Sequence, residues 1–261
     1  LVPEMCYAMN YLYISIYHPE ARVQPYNTLN GNIDIASTLN ILEGLSSGAL
    51  ILIENPSGQS GKTVNQDLFP ELLDQARKLG VTIVVDETYL ETRRENLSVI
   101  PYISHPNLVV VTSFSKAYGL AGLRAGAIMS SPENMSILKA LKPMHEITAA
   151  TASVLSYAIS DRKSLEAYRN QILLDEQAWM RMHQLYQDLI VEPTDSNFIR
   201  FRSSSCSVTE ITSYLESKKI RVKTHTPDEL DNQWLSASLG SSNSTNLLLS
   251  ELTKFLYNKG Q

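Results

Sequence analysis

The stretch Leu108 to Arg124, LVVVTSFSKAYGLAGLR, decides the fold. A β-branched run, Val109 to Thr112, gives way to Ser113-Phe114-Ser115. Lys116 follows at once, then a Gly-rich segment that ends at Arg124. Such an apolar run reads as a buried strand of a parallel sheet. Ligands of these sheets bind just beyond the carboxyl ends of the strands, and Lys116 stands at that place. A lysine there, hemmed in by apolar residues, is a candidate for amine chemistry. An isolated lysine after a strand is more often a surface charge, so its neighbours must settle the matter.

Upstream, Val81 to Val85 reads as a buried strand ending in Asp86-Glu87. Before it, Val64 to Leu79 has helical spacing, with Leu68, Leu72, Leu73 and Ala76 on one face and Gly80 as the stop. Ala49 to Ile53 is a further buried strand, and the cluster Glu54 to Gly61 after it is a loop. Closer to the start, Ile35 to Leu42 predicts a short helix and Tyr11 to Tyr17, aromatic and β-branched, predicts a strand. Downstream, Ala125 to Met129 predicts a strand entered from Gly122 and Gly126. Strands alternating with helices indicate an α/β chain with a mostly parallel, doubly wound sheet.

From Pro132 the pattern changes. Ile147 to Ile190 is helical and free of Pro and Gly, and predicts two helices broken near Asp161. After Pro193 come a strand (Asn197 to Phe201), a helix (Val208 to Lys218), two strands (Ile220 to Lys223 and Trp234 to Leu239) and a helix (Ser244 to Tyr257). The expected division is a large domain over 1–190, including the linking helices, and a small α+β domain over 191–261, with the boundary near Val191.

Composition narrows the function. The 261 residues suffice for one large domain and a small one. A net charge of −5 argues against non-specific nucleic-acid binding. Cys6 and Cys206 are the only two cysteines and read as free thiols of a reducing compartment. The five histidines lack metal-ligand spacing, so no metal site is expected. No apolar run approaches the length of a membrane span, and the sequence shows no basic n-region of a signal peptide. The expected location is cytoplasmic.

Two readings of the loops compete. Gly58-Gln59-Ser60-Gly61-Lys62-Thr63 has the Gly-Lys-Thr ending of a nucleotide-binding P-loop between a strand and a helix, and Val84 to Glu87 looks like its acidic partner strand. The motif needs a glycine where Pro56 stands, and proline removes an N–H donor and fixes φ. The other reading takes in more of the chain. Val84 to Tyr89 (VVDETY), Ser113 to Gly126 (SFSKAYGLAGLRAG) and a diverged Asn55 to Thr63 (NPSGQSGKT) resemble the fold type I pyridoxal-phosphate enzymes, specifically the class I and II aminotransferases and nearest the histidinol-phosphate branch.

That resemblance, which runs from Pro3 to the last helix, implies a three-layer large domain, pyridoxal 5'-phosphate as cofactor and a homodimer. It implies amino-group transfer between an amino acid or amine and a keto acid. Lys116 would hold the cofactor as a Schiff base and shuttle a proton. Asp86 would keep the ring nitrogen protonated. Tyr89 would hydrogen-bond the ring oxygen, and Ser113, Ser115 and Arg124 would hold the phosphate. A decarboxylase or lyase on the same scaffold, or a decayed relative, remains an alternative because fold does not fix reaction.

The sequence departs from the family in four places. The family carries about 80–100 residues before the point where this chain starts, among them a Gly-rich phosphate turn, so a longer protein is expected. The aromatic that stacks on the cofactor ring is Met5 here, with Tyr7 nearby. The loop asparagine that bonds the ring oxygen falls on Gly58. The arginine that clamps the substrate carboxylate falls on Ser236; Arg200 and Arg202 are possible substitutes but read as solvent-facing strand residues.

Overall fold

The computed structural model describes every residue except 4, 5, 27, 30, 31, 34, 43, 94–96, 145, 225–233, 260 and 261. In chain order the elements of the first part are β1 (Val2–Pro3), α1 (Ala8–Tyr17), β2 (Pro25–Tyr26), β3 (Thr28–Leu29), β4 (Asn32–Ile33), α2 (Ile35–Leu42), β5 (Leu50–Glu54), α3 (Phe69–Leu79), β6 (Thr82–Asp86), β7 (Leu108–Ser113), β8 (Gly126–Ser130), α4 (Pro132–Leu141) and α5 (Ala149–Ser160). The second part holds α6 (Arg162–Leu185), β9 (Leu189–Glu192), β10 (Phe198–Ser203), α7 (Val208–Ser217), β11 (Lys223–Thr224), β12 (Leu235–Ser238) and α8 (Ser242–Lys259). The chain divides into two compact units, Leu1–Arg162 and Lys163–Gln261.

In the first unit β5, β6 and β7 run parallel in that order and β8 closes the sheet antiparallel to β7. Alternate residues of the three parallel strands, Ile51, Ile53, Ile83, Val85, Leu108 and Val110, are fully buried. They pack with Phe69, Leu72, Leu73 and Ala76 of α3 and Leu42 of α2. The helix expected from Val64 begins at Phe69, with Pro70 in its first turn, where a missing N–H costs nothing. Gly80 ends it in the left-handed conformation at φ 68°, as its sequence position predicts.

Tyr11 to Tyr17 is not a strand but the body of α1. A strand needs an open sheet edge, and along β5 that edge is occupied by Leu1, whose carbonyl accepts from Leu52 N at 2.9 Å. As a helix the segment satisfies its own backbone, and Tyr13, Ile16 and Tyr17 remain exposed.

The second unit is a four-stranded antiparallel sheet in the order β11-β12-β10-β9. Ile172, Trp179 and Met182 of α6 lie in its core with Phe201, Leu235, Leu252 and Phe255. Compactness therefore assigns α6 to this unit, and the division falls at 162/163 rather than near Val191. Leu189 and Ile190, expected at the end of the helical stretch, belong instead to β9, which pairs with β10. Asp175 of α6 accepts from the amides of Gly240 (2.8 Å) and Ser241 (2.9 Å), fixing the turn that leads into α8.

Candidate active site

Strand alternation sorts the acids at the carboxyl edge of the parallel sheet. Successive side chains of a strand point to opposite faces. Ile53, Val85 and Val110 take the core face, so Glu54, Asp86 and Val111 take the other. Register sets these side by side, Glu54 opposite Asp86 and Asp86 opposite Val111. Ser113, two residues beyond Val111, shares their face.

Asp86 and Glu87, adjacent in sequence, thus have different environments. Glu87 is buried and accepts from Ser98 Oγ (2.7 Å), Val99 N (2.7 Å) and Asn55 Nδ2 (3.4 Å). Burial pushes its carboxyl pKa up, and the hydrogen bonds from Val99, Ser98 and Asn55 pull it partly back. Asp86 is only half-buried, and its Oδ1 accepts from Thr88 N at 2.9 Å, which fixes the rotation of the carboxylate.

Tyr89 and Lys116 meet directly. The Lys116 Nζ lies 4.9 Å from the centre of the Tyr89 ring, within cation–π range. Tyr89 also lies close to Gly58, where an added Cβ would stand 3.3 Å from Tyr89 Cε2. The turn that carries Lys116 is built by Ser115 N donating to Ser113 Oγ (3.1 Å), Gly119 N to Lys116 O (3.1 Å) and Leu120 N to Phe114 O (3.1 Å). It is anchored to the residue before β8 through Phe114 N to Ala125 O at 3.2 Å. Gly126 is required beside it, because a Cβ there would lie 2.5 Å from the carbonyl oxygen of Thr112.

Arg124 ends this turn in the left-handed region at φ 51°, which costs a non-glycine residue about 1 kcal/mol. It is exposed, and its Nη1 donates to Ala121 O at 3.1 Å. Lys116 and Tyr89 are therefore in contact, Asp86 ends the adjoining strand, and Ser113 and Ser115 share the lysine's turn. Arg124 lies at the far end of that turn, folded back on its own backbone.

The rival loop after β5 is closed. Asn55, fully buried, spends its side chain on Leu97 O (2.9 Å) and Val64 N (3.1 Å) as well as Glu87. Ser57 N donates to Lys62 O (2.9 Å), and Gly61 N returns to Ser57 O (2.9 Å). Gly58 N goes to Glu54 Oε2 (2.9 Å), Gln59 N and Ser60 N to Ser57 Oγ (3.2 and 3.3 Å), and Lys62 N to Ser60 Oγ (3.3 Å). A phosphate cradle presents these amides outward and opens a helix. Here they are spent within the loop, and α3 begins only at Phe69.

Glu54 is the site residue that motif reading missed. The available signal was an acid as the last residue of an otherwise apolar strand. It is 4% exposed. Its Oε1 accepts from Tyr7 N (2.8 Å) and Asn10 Nδ2 (3.4 Å), and its Oε2 from Gly58 N. Met5 falls outside the described residues.

In the second unit Ser236 is buried and pairs in register with Arg200. Arg200 does not face solvent as expected. It is 4% exposed, its Cζ lies 4.5 Å over the Trp234 ring, and its Nη1 is 3.6 Å from Glu192 Oε2. The indole offers its face to the guanidinium, so burial costs less than it would in a purely aliphatic core.

A sequence profile described as aminotransferase class I and II matches residues 1–243. The chain belongs to that family. Among curated relatives it is similar to the histidinol-phosphate aminotransferase 2 of Legionella pneumophila, 25% identical over 231 residues, which cover 87% of this chain and 60% of the relative. It is also similar to the histidinol-phosphate aminotransferase of Dehalococcoides mccartyi, 28% identical over 221 residues, covering 85% of this chain and 60% of the relative. The chain thus spans 60% of the length of these two relatives.

Among solved structures, the histidinol-phosphate aminotransferase of Clostridium acetobutylicum superposes with a TM-score of 0.85 at 18% identity, over 98% of this chain and 77% of that one. The Sinorhizobium meliloti enzyme, solved in complex with pyridoxal-5'-phosphate, gives 0.84 at 20% identity over 98% and 70%. At such identities these likenesses establish the fold, α/β of fold type I with a mostly parallel large sheet. Among the described residues no helix is long and apolar enough to cross a membrane.

Proposed function

We propose that this member of the class I and II aminotransferase family contributes the catalytic lysine and most of the cofactor pocket of a pyridoxal-phosphate-dependent aminotransferase. The observation that carries the reading is the contact of Lys116 with Tyr89, 4.9 Å from Nζ to ring centre, at the sheet edge where Asp86 ends the adjoining strand. The donor set suits the cofactor: one primary amine, one anion, one phenol, two hydroxyls and a guanidinium.

When bound, pyridoxal phosphate supplies an aldehyde for an amine and a conjugated ring that takes up an electron pair. Asp86 would hold the proton on the ring nitrogen: a carboxylate accepts at both oxygens, and with Oδ1 taken by Thr88 N the other would be the acceptor. Tyr89 would donate its hydroxyl to the ring oxygen, and its face keeps Lys116 close. Lys116 is the amine that would hold the cofactor and move the proton at the substrate Cα. Ser113, Ser115 and Arg124 would bind the phosphate, for which the guanidinium would have to leave the Ala121 carbonyl.

The substrates are an amino acid or amine and a keto acid. The relatives' names point to a phosphorylated amino compound as the donor to try first. A homodimer in the cytoplasm is the expected working form, by likeness to the family. A decarboxylase or lyase is the second reading, favoured by Ser236 at the family's carboxylate-clamp position. A charge-assisted pair there is worth about 1.5–3 kcal/mol, roughly tenfold to a hundredfold in affinity.

The test is uptake of pyridoxal phosphate followed by absorbance and borohydride fixation. The chain should turn yellow, and borohydride should fix the cofactor on the peptide containing Lys116. A colourless chain that borohydride leaves unmodified would overturn the reading. Half-reaction spectra over a panel of amino donors then separate transfer from decarboxylation.

A further inference from the structure

The carboxylate of Glu54 joins two separate segments on the cofactor side of the sheet. Its Oε1 receives Tyr7 N at 2.8 Å from the residue before α1, with Asn10 Nδ2 at 3.4 Å. Its Oε2 receives Gly58 N at 2.9 Å from the loop after β5. Gly58 in turn is the seat of the Tyr89 ring, and Tyr89 lies under the amine of Lys116. A line of contacts therefore runs from Tyr7 through Glu54, Gly58 and Tyr89 to Lys116. Glu54 is also the register partner of Asp86 on the same face of the sheet.

A buried carboxylate is costly unless it is paired and hydrogen-bonded. The hydrogen-bond partners of Glu54 are N–H and O–H donors: Tyr7, Gly58, Asn10 and the Ser57 hydroxyl. Burial pushes its pKa up, the amides of Tyr7 and Gly58 pull it back, and the charge of Asp86 adds to the upward push. A neutral residue would end this strand at lower cost, so the anion's use lies in holding donors that approach from two sides.

We propose that Glu54 is a positioning residue of the cofactor site, clamping the Tyr7 and Gly58 backbones so that Tyr89 and Lys116 keep their geometry beside Asp86. This rests on the pyridoxal-phosphate reading above. Glutamine in its place has one acceptor oxygen, so one of the two backbone amides would face an N–H and that arm of the clamp would open.

The test uses the full chain with Glu54→Gln and reads three quantities. Without cofactor, the Tyr7 or Gly58 amide should exchange hydrogen at least tenfold faster than in the parent. With pyridoxal phosphate, affinity should fall about tenfold. The visible circular dichroism per bound cofactor, which reports ring orientation, should also fall. Unchanged exchange at both amides overturns the clamp. Faster exchange with parental affinity and parental visible dichroism overturns the positioning role and leaves a purely structural one. If the parent itself takes up no cofactor, the proposed function fails and with it the positioning role, whereas amide exchange still decides the clamp. Should Glu54→Gln fail to fold, Glu54→Asp, which shortens the reach by one methylene, carries the same expectations.

Discussion

Two loops of the first unit look alike in sequence and differ in chemistry. Each leaves the carboxyl end of a parallel strand, each is rich in Gly and Ser, and each carries a lysine, Lys62 in one and Lys116 in the other. In the loop after β5 the amides from Ser57 to Gly61 and that of Lys62 bond within the loop or to Glu54. In the loop after β7 the backbone bonds shape a turn and leave the lysine amine over an aromatic ring. Accounting for donors excludes the first loop as a phosphate cradle where motif spelling does not, because an anion can bind only to N–H groups that are not already spent.

The largest expected effect breaks this comparison outright if it fails. Lys116→Ala should abolish borohydride-stable attachment of pyridoxal phosphate, whereas Lys62→Ala should retain it, as read by mass of the fixed peptide. Neither variant should change nucleotide binding, which is expected to be absent in the parent by equilibrium dialysis with ATP.

Next comes the anion that serves the open loop. Asp86→Asn keeps an oxygen for Thr88 N but removes the charge. Losing a charge-assisted hydrogen bond costs about 1.5–3 kcal/mol, so cofactor affinity should fall roughly tenfold to a hundredfold, measured by absorbance titration. An unchanged affinity would remove Asp86 from the site.

The closed loop should answer in stability rather than in binding. Asn55→Ala strips partners from Leu97 O, Val64 N and Glu87 at a fully buried position. Unsatisfied buried groups cost about 1–3 kcal/mol each, and a loss of about 3 kcal/mol in urea unfolding is expected.

The smallest effect sharpens the contrast between the neighbouring acids Asp86 and Glu87. The Glu87 pKa is raised above 4.5 by burial. The folded state then binds more protons than the unfolded one between that value and the raised one, so stability falls as pH rises through this window. Below 4.5 the group is protonated in both states and the penalty is absent. Glu87→Gln should flatten that part of the stability–pH curve, as read from urea unfolding across the window.

Much of this was legible in the chain. The apolar runs of β5, β6 and β7 gave themselves away because one face is fully buried and the other is largely covered, so both carry apolar residues. Gly80 marked the end of α3 because a left-handed cap favours glycine. The open loop was legible too, since Lys116, the two serines and Arg124 follow one strand at close spacing. Tyr11 to Tyr17 misled because β propensity is weak against the supply of an open edge, and β5's edge was already taken by Leu1. Arg200 misled because nothing in its strand announces Trp234, which covers it from another part of the chain.

By itself, then, the sequence determined which segments are strands of a parallel sheet and which lysine follows the decisive one, because these depend on local runs of residue types. Only the tertiary structure decided which acid at each strand end faces the site, and that the Asn55–Lys62 loop is closed. It also decided that Glu54 reaches both Tyr7 and Gly58. These outcomes depend on register and on partners distant along the chain, and strand pairing fixes both.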